Sequence, residues 1–332
     1  MAAIGSILAV VDFSRSIDHT LRRAARLAAE HDSQLRLIHV VSPAGCRPLC
    51  KWLDRPADIR LKLAQAKATL DRCVAQLAGH HRLDVRAEIR VGDAQDEILH
   101  AAQRADLVVV GARGANPLRE LLLGAAAERL VRTVRRPVLI VKRPPLRPYR
   151  RALVPLDFAA CSVAALQLAL IVATRAGIHA FHAVEPGWEM KLRAADVAAD
   201  VVADHAAAAR QEACRQLHAL AAEAALPRAI VRFAVRHGDA ASLILAEESR
   251  IDADLVIIGK DGHSAMAAFL LGGVVQRVLR GTRSDTLVVP RATPAGRNGR
   301  RDRAEASPWA PAHRRADPLN AVRHAVEEAA RR

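Results

Sequence analysis

Aromatic residues are scarce in this chain: they make up 3% of its 332 residues, with one tyrosine, three tryptophans and five phenylalanines. Strand-only folds draw heavily on such side chains, whereas helices packed on aliphatic strands do not. Apolar residues still account for 51% of the sequence, so the expectation is a layered α/β protein with its core built from Ala, Leu and Val. Long hydrophobic runs are also lacking. Stretches such as Leu107 to Gly111 and Leu255 to Gly259 fall far below the roughly 20 residues that cross a bilayer, so no membrane span is expected. The start, Met1-Ala-Ala-Ile-Gly-Ser-Ile-Leu, has no cationic segment ahead of its apolar stretch, which reads against a secretory leader and for the cytoplasm.

Cysteine is sparse and odd in number, five, in a chain long enough to fold without covalent staples, so disulfides are not expected. Cys46 and Cys50, even with His39, lack the second ligand pair that a structural zinc site requires, and no metal ligand is assigned. No nucleophile with a base and an orienting acid can be assembled, so no catalytic residue is assigned either. What is plentiful is positive charge, +15 net. The arginines are spread over helices, strand ends and the tail rather than gathered into a stripe with aromatics, and no recognition module accompanies them, which reads against specific nucleic-acid binding.

At 332 residues the chain is sized for two domains, and an internal repeat supplies them. Ile7-Leu-Ala-Val-Val-Asp12-Phe13 returns 145 positions later as Ala152-Leu-Val-Pro-Leu-Asp157-Phe158. Val91-Gly92-Asp93 returns as His237-Gly238-Asp239, Leu107-Val-Val-Val-Gly111 as Leu255-Val-Ile-Ile-Gly259, and Pro137-Val-Leu-Ile-Val as Asp285-Thr-Leu-Val-Val. Each half reads as five strands alternating with helices, near 5–11, 35–41, 84–91, 106–110 and 137–142, then 151–156, 178–184, 229–236, 254–259 and 285–290. Continuous aliphatic strands of this kind are buried on both faces, so each half is expected to be a Rossmann-like, five-stranded, mostly parallel sheet flanked by helices. The domains are placed at 1–143 and 150–291. The Pro-rich segment 144–149 joins them as a stiff linker, since proline fixes φ and donates no N–H. Residues 292–332 form a basic, Arg/Ala/Pro-rich tail in which only Leu319, Val322 and Val326 pattern as one helical face.

The segment richest in chemistry is Gly111-Ala-Arg-Gly114, nine further residues, then Gly124-Ala125, directly after a strand and opening a helix. A glycine turn at the carboxyl end of a parallel strand lets backbone approach a phosphate, and the next helix offers unpaired N–H groups there. It is neither a Walker loop nor the dinucleotide fingerprint. The pattern resembles the universal stress protein family, whose ATP-binding members carry Gly-x-x-Gly-x9-Gly-Ser/Thr with an Asp ending the first strand. The resemblance covers about 1–143 and 149–290 and is to tandem members.

The resemblance implies ATP or a related adenine nucleotide, with Mg²⁺. Adenine would be held by Asp12 and the backbone of Val40, with Val10, Val11 and Val110 beside it. Ribose and phosphates would lie along Gly111, Arg113 and Gly114, and terminal phosphates over Gly124, Ala125, Ala126 and Ala127. The matching second-half positions are Asp157, Ala183, Gly259, Gly262, Gly272 and Gly273. It also implies that the two halves pair through their last strands, Val138 to Lys142 against Leu287 to Arg291, as an internal pseudo-dimer able to dimerise further.

Both halves depart from the family pattern where Ala125 and Gly273 replace the Ser/Thr. The lost hydroxyl contact is worth roughly tenfold to a hundredfold in affinity, while the backbone donors survive. Arg113 sits inside the first turn, whereas Lys260-Asp261 gives the second one charge of each sign, which ranks the first site above the second. Three functions compete: a nucleotide-responsive stress protein, a nucleotide-free association scaffold of the same fold, and a slow ATP hydrolase. In a purely structural reading, the glycines permit close packing and Asp12 and Asp157 cap the helices that follow.

Overall fold

The structure, a computed structural model, describes residues 4–13, 17–42, 56–80, 83–112, 125–187, 194–195, 197–260 and 272–290. The first half contributes strands β1 (Ser6–Val10), β2 (Gln34–Val41), β3 (Val85–Val91), β4 (Leu107–Gly111) and β5 (Val138–Val141), with helices α1 (Ile17–His31), α2 (Pro56–His80), α3 (Ala94–Ala102) and α4 (Ala125–Thr133). The second contributes β6 (Arg151–Pro155), β7 (Gly177–Val184), β8 (Val231–His237), β9 (Leu255–Gly259) and β10 (Asp285–Val289), with α5 (Ser162–Val172), α6 (Ala199–Glu223), α7 (Ala240–Ile251) and α8 (Gly273–Gly281). All ten strands join one sheet in the order β3-β2-β1-β4-β5-β10-β9-β6-β7-β8. Every pairing is parallel except the central one, where β5 meets β10 antiparallel through Val138↔Val288, Leu139↔Leu287 and Ile140↔Thr286.

The continuous aliphatic strands are covered on both faces, as their composition requires. One apolar layer unites α1, α2, α5 and α6 over one face, with Leu27, Leu70, Leu166 and Leu217 at its centre. The other unites α3, α4, α7 and α8, with Ile98, Leu130, Ile244 and Val278. The stripe of α1 shows why it folds as a helix there: Leu21, Ala24, Ala25, Leu27 and Ala28 are all buried at helical spacing.

Several repeated motifs prove to be backbone devices. The carboxylate of Asp93 accepts the N–H groups of Gln95 and Asp96, and that of Asp239 accepts the N–H of Ser242. Each Gly-Asp pair therefore turns a strand into a capped helix; at Gly238 the turn takes φ to +141°, which glycine tolerates. Asp106 likewise accepts the N–H groups of Gly5 and Ser6 at the start of β1, and Asp254 those of Arg150 and Arg151 at the start of β6.

Among the described residues one polar cluster has no counterpart in the other half. Asp285, fully buried where β10 begins, accepts hydrogen bonds from Arg23 Nε at 3.1 Å, the Tyr149 hydroxyl at 2.7 Å and the N–H groups of Lys142 and Arg143 at 2.8 and 3.0 Å. Arg23 lies over the Tyr149 ring, 4.0 Å from its centre, and donates to the Arg147 carbonyl. Tyr149, at the end of the Pro-rich segment, is thus packed into the junction between the halves.

Candidate functional site

Strand order reverses beside the first strand of each half: β1 lies between β2 and β4, and β6 between β7 and β9. At such a point the segments leaving neighbouring strands diverge and open a crevice at the carboxyl edge. Beyond the last β1–β4 pair, Ala9↔Val109, the chains part: the Val11 N–H donates to the Ile38 carbonyl of β2 and the Ala112 N–H to the Val141 carbonyl of β5. Beyond the last β6–β9 pair, Leu153↔Val256, the Leu156 N–H likewise donates to the Phe181 carbonyl of β7 and the Lys260 N–H to the Val289 carbonyl of β10.

Around the first crevice Asp12 is exposed, Val10 and Val40 are half-buried, and Val11 and Val110 are buried. Val40 pairs with Arg90 on β3, beyond the last β1–β2 pair, Val10↔Ile38. Gly111 ends β4, and Ala125, Ala126 and Ala127 form the first turn of α4. Arg113, Gly114 and Gly124 lie outside the described residues, as do Cys46 and Cys50. Around the second crevice Ala183 is half-buried on β7 and Gly259 ends β9. Gly262 lies outside the described residues. Gly272 precedes α8 and Gly273 begins it, and a Cβ added at either would meet no atom of the described residues within 4 Å.

The peptides that lead into both crevices are held in the same way. Phe13 and Phe158 adopt left-handed φ values of +53° and +62°, a conformation that side chains other than glycine rarely take. Each ring packs on a histidine of the second strand, Phe13 on His39 at 4.1 Å and Phe158 on His182 at 4.3 Å between centres. Each histidine reaches the carbonyl just before the aspartate: Nδ1 of His39 to Val11 and of His182 to Leu156, both 2.7 Å. A carbonyl can only accept, so Nδ1 carries the proton in both rings. Burial lowers the His182 pKa, against the raising effect of the Leu156 carbonyl. The repeated histidines are thus structural clasps.

Among the described residues no three His, Cys, Asp or Glu side chains converge as metal ligands, and no helix is long and apolar enough to cross a membrane.

A family model for universal stress proteins matches residues 4–142 and again 148–290. The chain belongs to the universal stress protein family. A universal stress protein of Mycolicibacterium smegmatis is 26% identical to it over 307 residues, covering 85% of this chain and 96% of the relative. A shorter one from Thermus aquaticus is 31% identical over 133 residues, 38% of this chain and 91% of the relative. The crystal structure of a universal stress protein from Archaeoglobus fulgidus superposes with a TM-score of 0.63 at 21% identity, covering 86% of this chain and 96% of that one.

Within this universal stress protein fold the second crevice has its own polar wiring. Asp157 Oδ1 accepts the N–H of Ala159 at 3.0 Å and the hydroxyl of Ser162 at 3.3 Å, which holds the turn into α5. Buried Cys161 packs its sulfur against Gly259 so closely that an added Cβ would overlap it. The first-half counterparts of that turn, 14–16, lie outside the described residues. Lys260, which the sequence places in the second glycine turn, points its ammonium at the first half instead, donating to the carbonyls of Val134 at 2.9 Å and of Val131 and Arg132 at 3.3 Å.

Proposed function

We propose that the first half binds ATP or a related adenine nucleotide and that the chain acts as a nucleotide-responsive stress regulator in the cytoplasm. The observation that carries this reading is that exposed Asp12 and the Gly111 turn leave neighbouring strands, β1 and β4, at the reversal of strand order. An exposed carboxylate suits a donor on the base or ribose, half-buried Val10 and Val40 suit an adenine face, and the glycine turn with the first turn of α4 suits phosphates and their Mg²⁺. Arg113, Gly114, Gly124, Ala125, Ala126 and Ala127 are assigned to the phosphate end. With Asp12 at the adenine end, the reading is of binding rather than hydrolysis.

For the second half, one observation favours the other reading, an association surface. Cys161 fills the space beside Gly259. Asp157, Ala183, Gly259, Gly262, Gly272 and Gly273 are therefore ranked as the weaker site. The functional halves are drawn at 1–143 and 150–291, and further self-association would use surfaces other than β5 and β10, which already pair with each other.

The test is to denature freshly purified protein and identify released nucleotide by mass spectrometry. Near one adenine nucleotide per chain supports the reading. Release of none, together with no uptake of added ATP and Mg²⁺, would replace it with the scaffold reading for both halves.

A further inference from the structure

The two helices that follow the glycine turns meet across the junction of the halves. Gln276 Nε2 of α8 donates to Glu128 Oε1 of α4 at 2.9 Å, and Arg280 lies 3.8 Å from the same oxygen. Each helix has nine residues, too short to hold itself together in water. The last carbonyls of such a helix have no donors within it. Here a lysine of the opposite half supplies them. Lys260 donates to the carbonyls of Val131, Arg132 and Val134 at the end of α4. Lys142 donates to those of Leu279 and Thr282 at the end of α8, at 2.7 and 2.9 Å. A cation at this end also opposes the negative pole of the helix.

The two ends of α4 belong to different sites. Its first turn, Ala125 to Ala127, is the phosphate end of the first-half site, and its last carbonyls are held by the residue directly after Gly259 in the second-half turn. Nine residues span roughly 13 Å, so one short element runs from Ala125 to the carbonyls that Lys260 holds. We infer that Lys260 is a positioning residue for the first-half nucleotide site, acting through α4. This rests on the reading of the first half as an adenine-nucleotide site. It gives the second half a part in that site that needs no nucleotide of its own.

The test uses the full chain with Lys260→Met and Lys260→Arg, hydrogen exchange over residues 125–133, and calorimetric titration with ATP and with adenosine. Lys260→Met is expected to speed exchange in α4 and to weaken ATP roughly three- to tenfold, with adenosine affinity unchanged; Lys260→Arg restores most of both. Unchanged exchange in α4, equal losses for ATP and adenosine, or no rescue by arginine would overturn the inference. A wild-type chain that binds neither ligand overturns the nucleotide reading and the positioning role with it. That is distinguishable from failure of the coupling alone, in which wild type binds ATP and Lys260→Met binds it equally well.

Discussion

Asp285 begins β10 with a buried carboxylate at the place where Pro137 stands ahead of β5, and its partners Arg23 and Tyr149 have Leu168 and Ile4 as their counterparts in the repeat. Glu247, buried and bound by His179, Arg236 and Arg250, has Ala101 as its counterpart. By contrast the Gly-Asp caps, the aspartates at the strand starts and the Phe-His clasps occur in both halves. Among the described residues these turn and strand-start features are duplicated, while buried Asp285 and Glu247 have no charged counterpart in the other half. An ion pair buried this deeply adds little net stability but makes mispairing expensive. The asymmetry therefore favours pairing of the first half with the second over pairing of like with like.

The largest expected effect breaks that junction. Asp285→Ala leaves Arg23 buried without its carboxylate and should destabilise the chain by about 3–5 kcal/mol, whereas Pro137→Ala at the mirrored position should stay within about 1 kcal/mol; urea denaturation of both variants measures the difference. Next, Gly259→Ala forces a methyl into Cys161 and should cost about 1–3 kcal/mol, most of it recovered in the double variant with Cys161→Ala. Failure of that rescue would mean Gly259 is glycine for another reason.

The crevices should separate under the same substitution. Asp12→Ala is expected to weaken ATP by about tenfold or more through loss of a charged hydrogen-bond acceptor. Asp157→Ala should leave binding within about twofold and instead lower stability by about 0.5–1.5 kcal/mol, the worth of the hydrogen bonding it gives Ala159 and Ser162. Calorimetry and thermal melts on both variants test the pair.

The subtlest effect appears only in acid. The Arg250 guanidinium, with His179 and despite burial, holds the Glu247 carboxyl at about 2, below its ordinary 4.5. A depressed folded pKa means that the unfolded chain takes up the proton first, so Glu247 contributes fully above pH 4.5 and its contribution fades as pH falls toward about 2. Glu247→Gln should flatten the fall in urea midpoint over that window.

Much of this was legible in the sequence because aliphatic runs have few places to go. The expected strand at 137–142 is Val138–Val141; the last strands do pair, with Val138 to Ile140 inside the segment the family resemblance implied and Thr286 to Val288 beginning one residue ahead of the implied Leu287. The repeated Asp-Phe is visible too, and so are the matching histidines 26 or 24 residues onward, but a left-handed phenylalanine carries no local signature, so only the structure shows the two clasped together. The Asp285 cluster was hidden for a different reason: its partners are 262 and 136 positions away, and no periodicity links them. The single tyrosine of the chain, set at the end of a Pro-rich segment, was the one available hint. Lys260 was read as a charge within its own turn, yet its long stem carries the ammonium to a helix of the other half.

The most direct test of the account is the stoichiometry of ATP binding to the nucleotide-stripped full chain, with Asp12→Ala and Asp157→Ala titrated alongside. One site per chain, lost in Asp12→Ala and retained in Asp157→Ala, is the expected result. Two equivalent sites, or one that survives Asp12→Ala and disappears with Asp157→Ala, would contradict it.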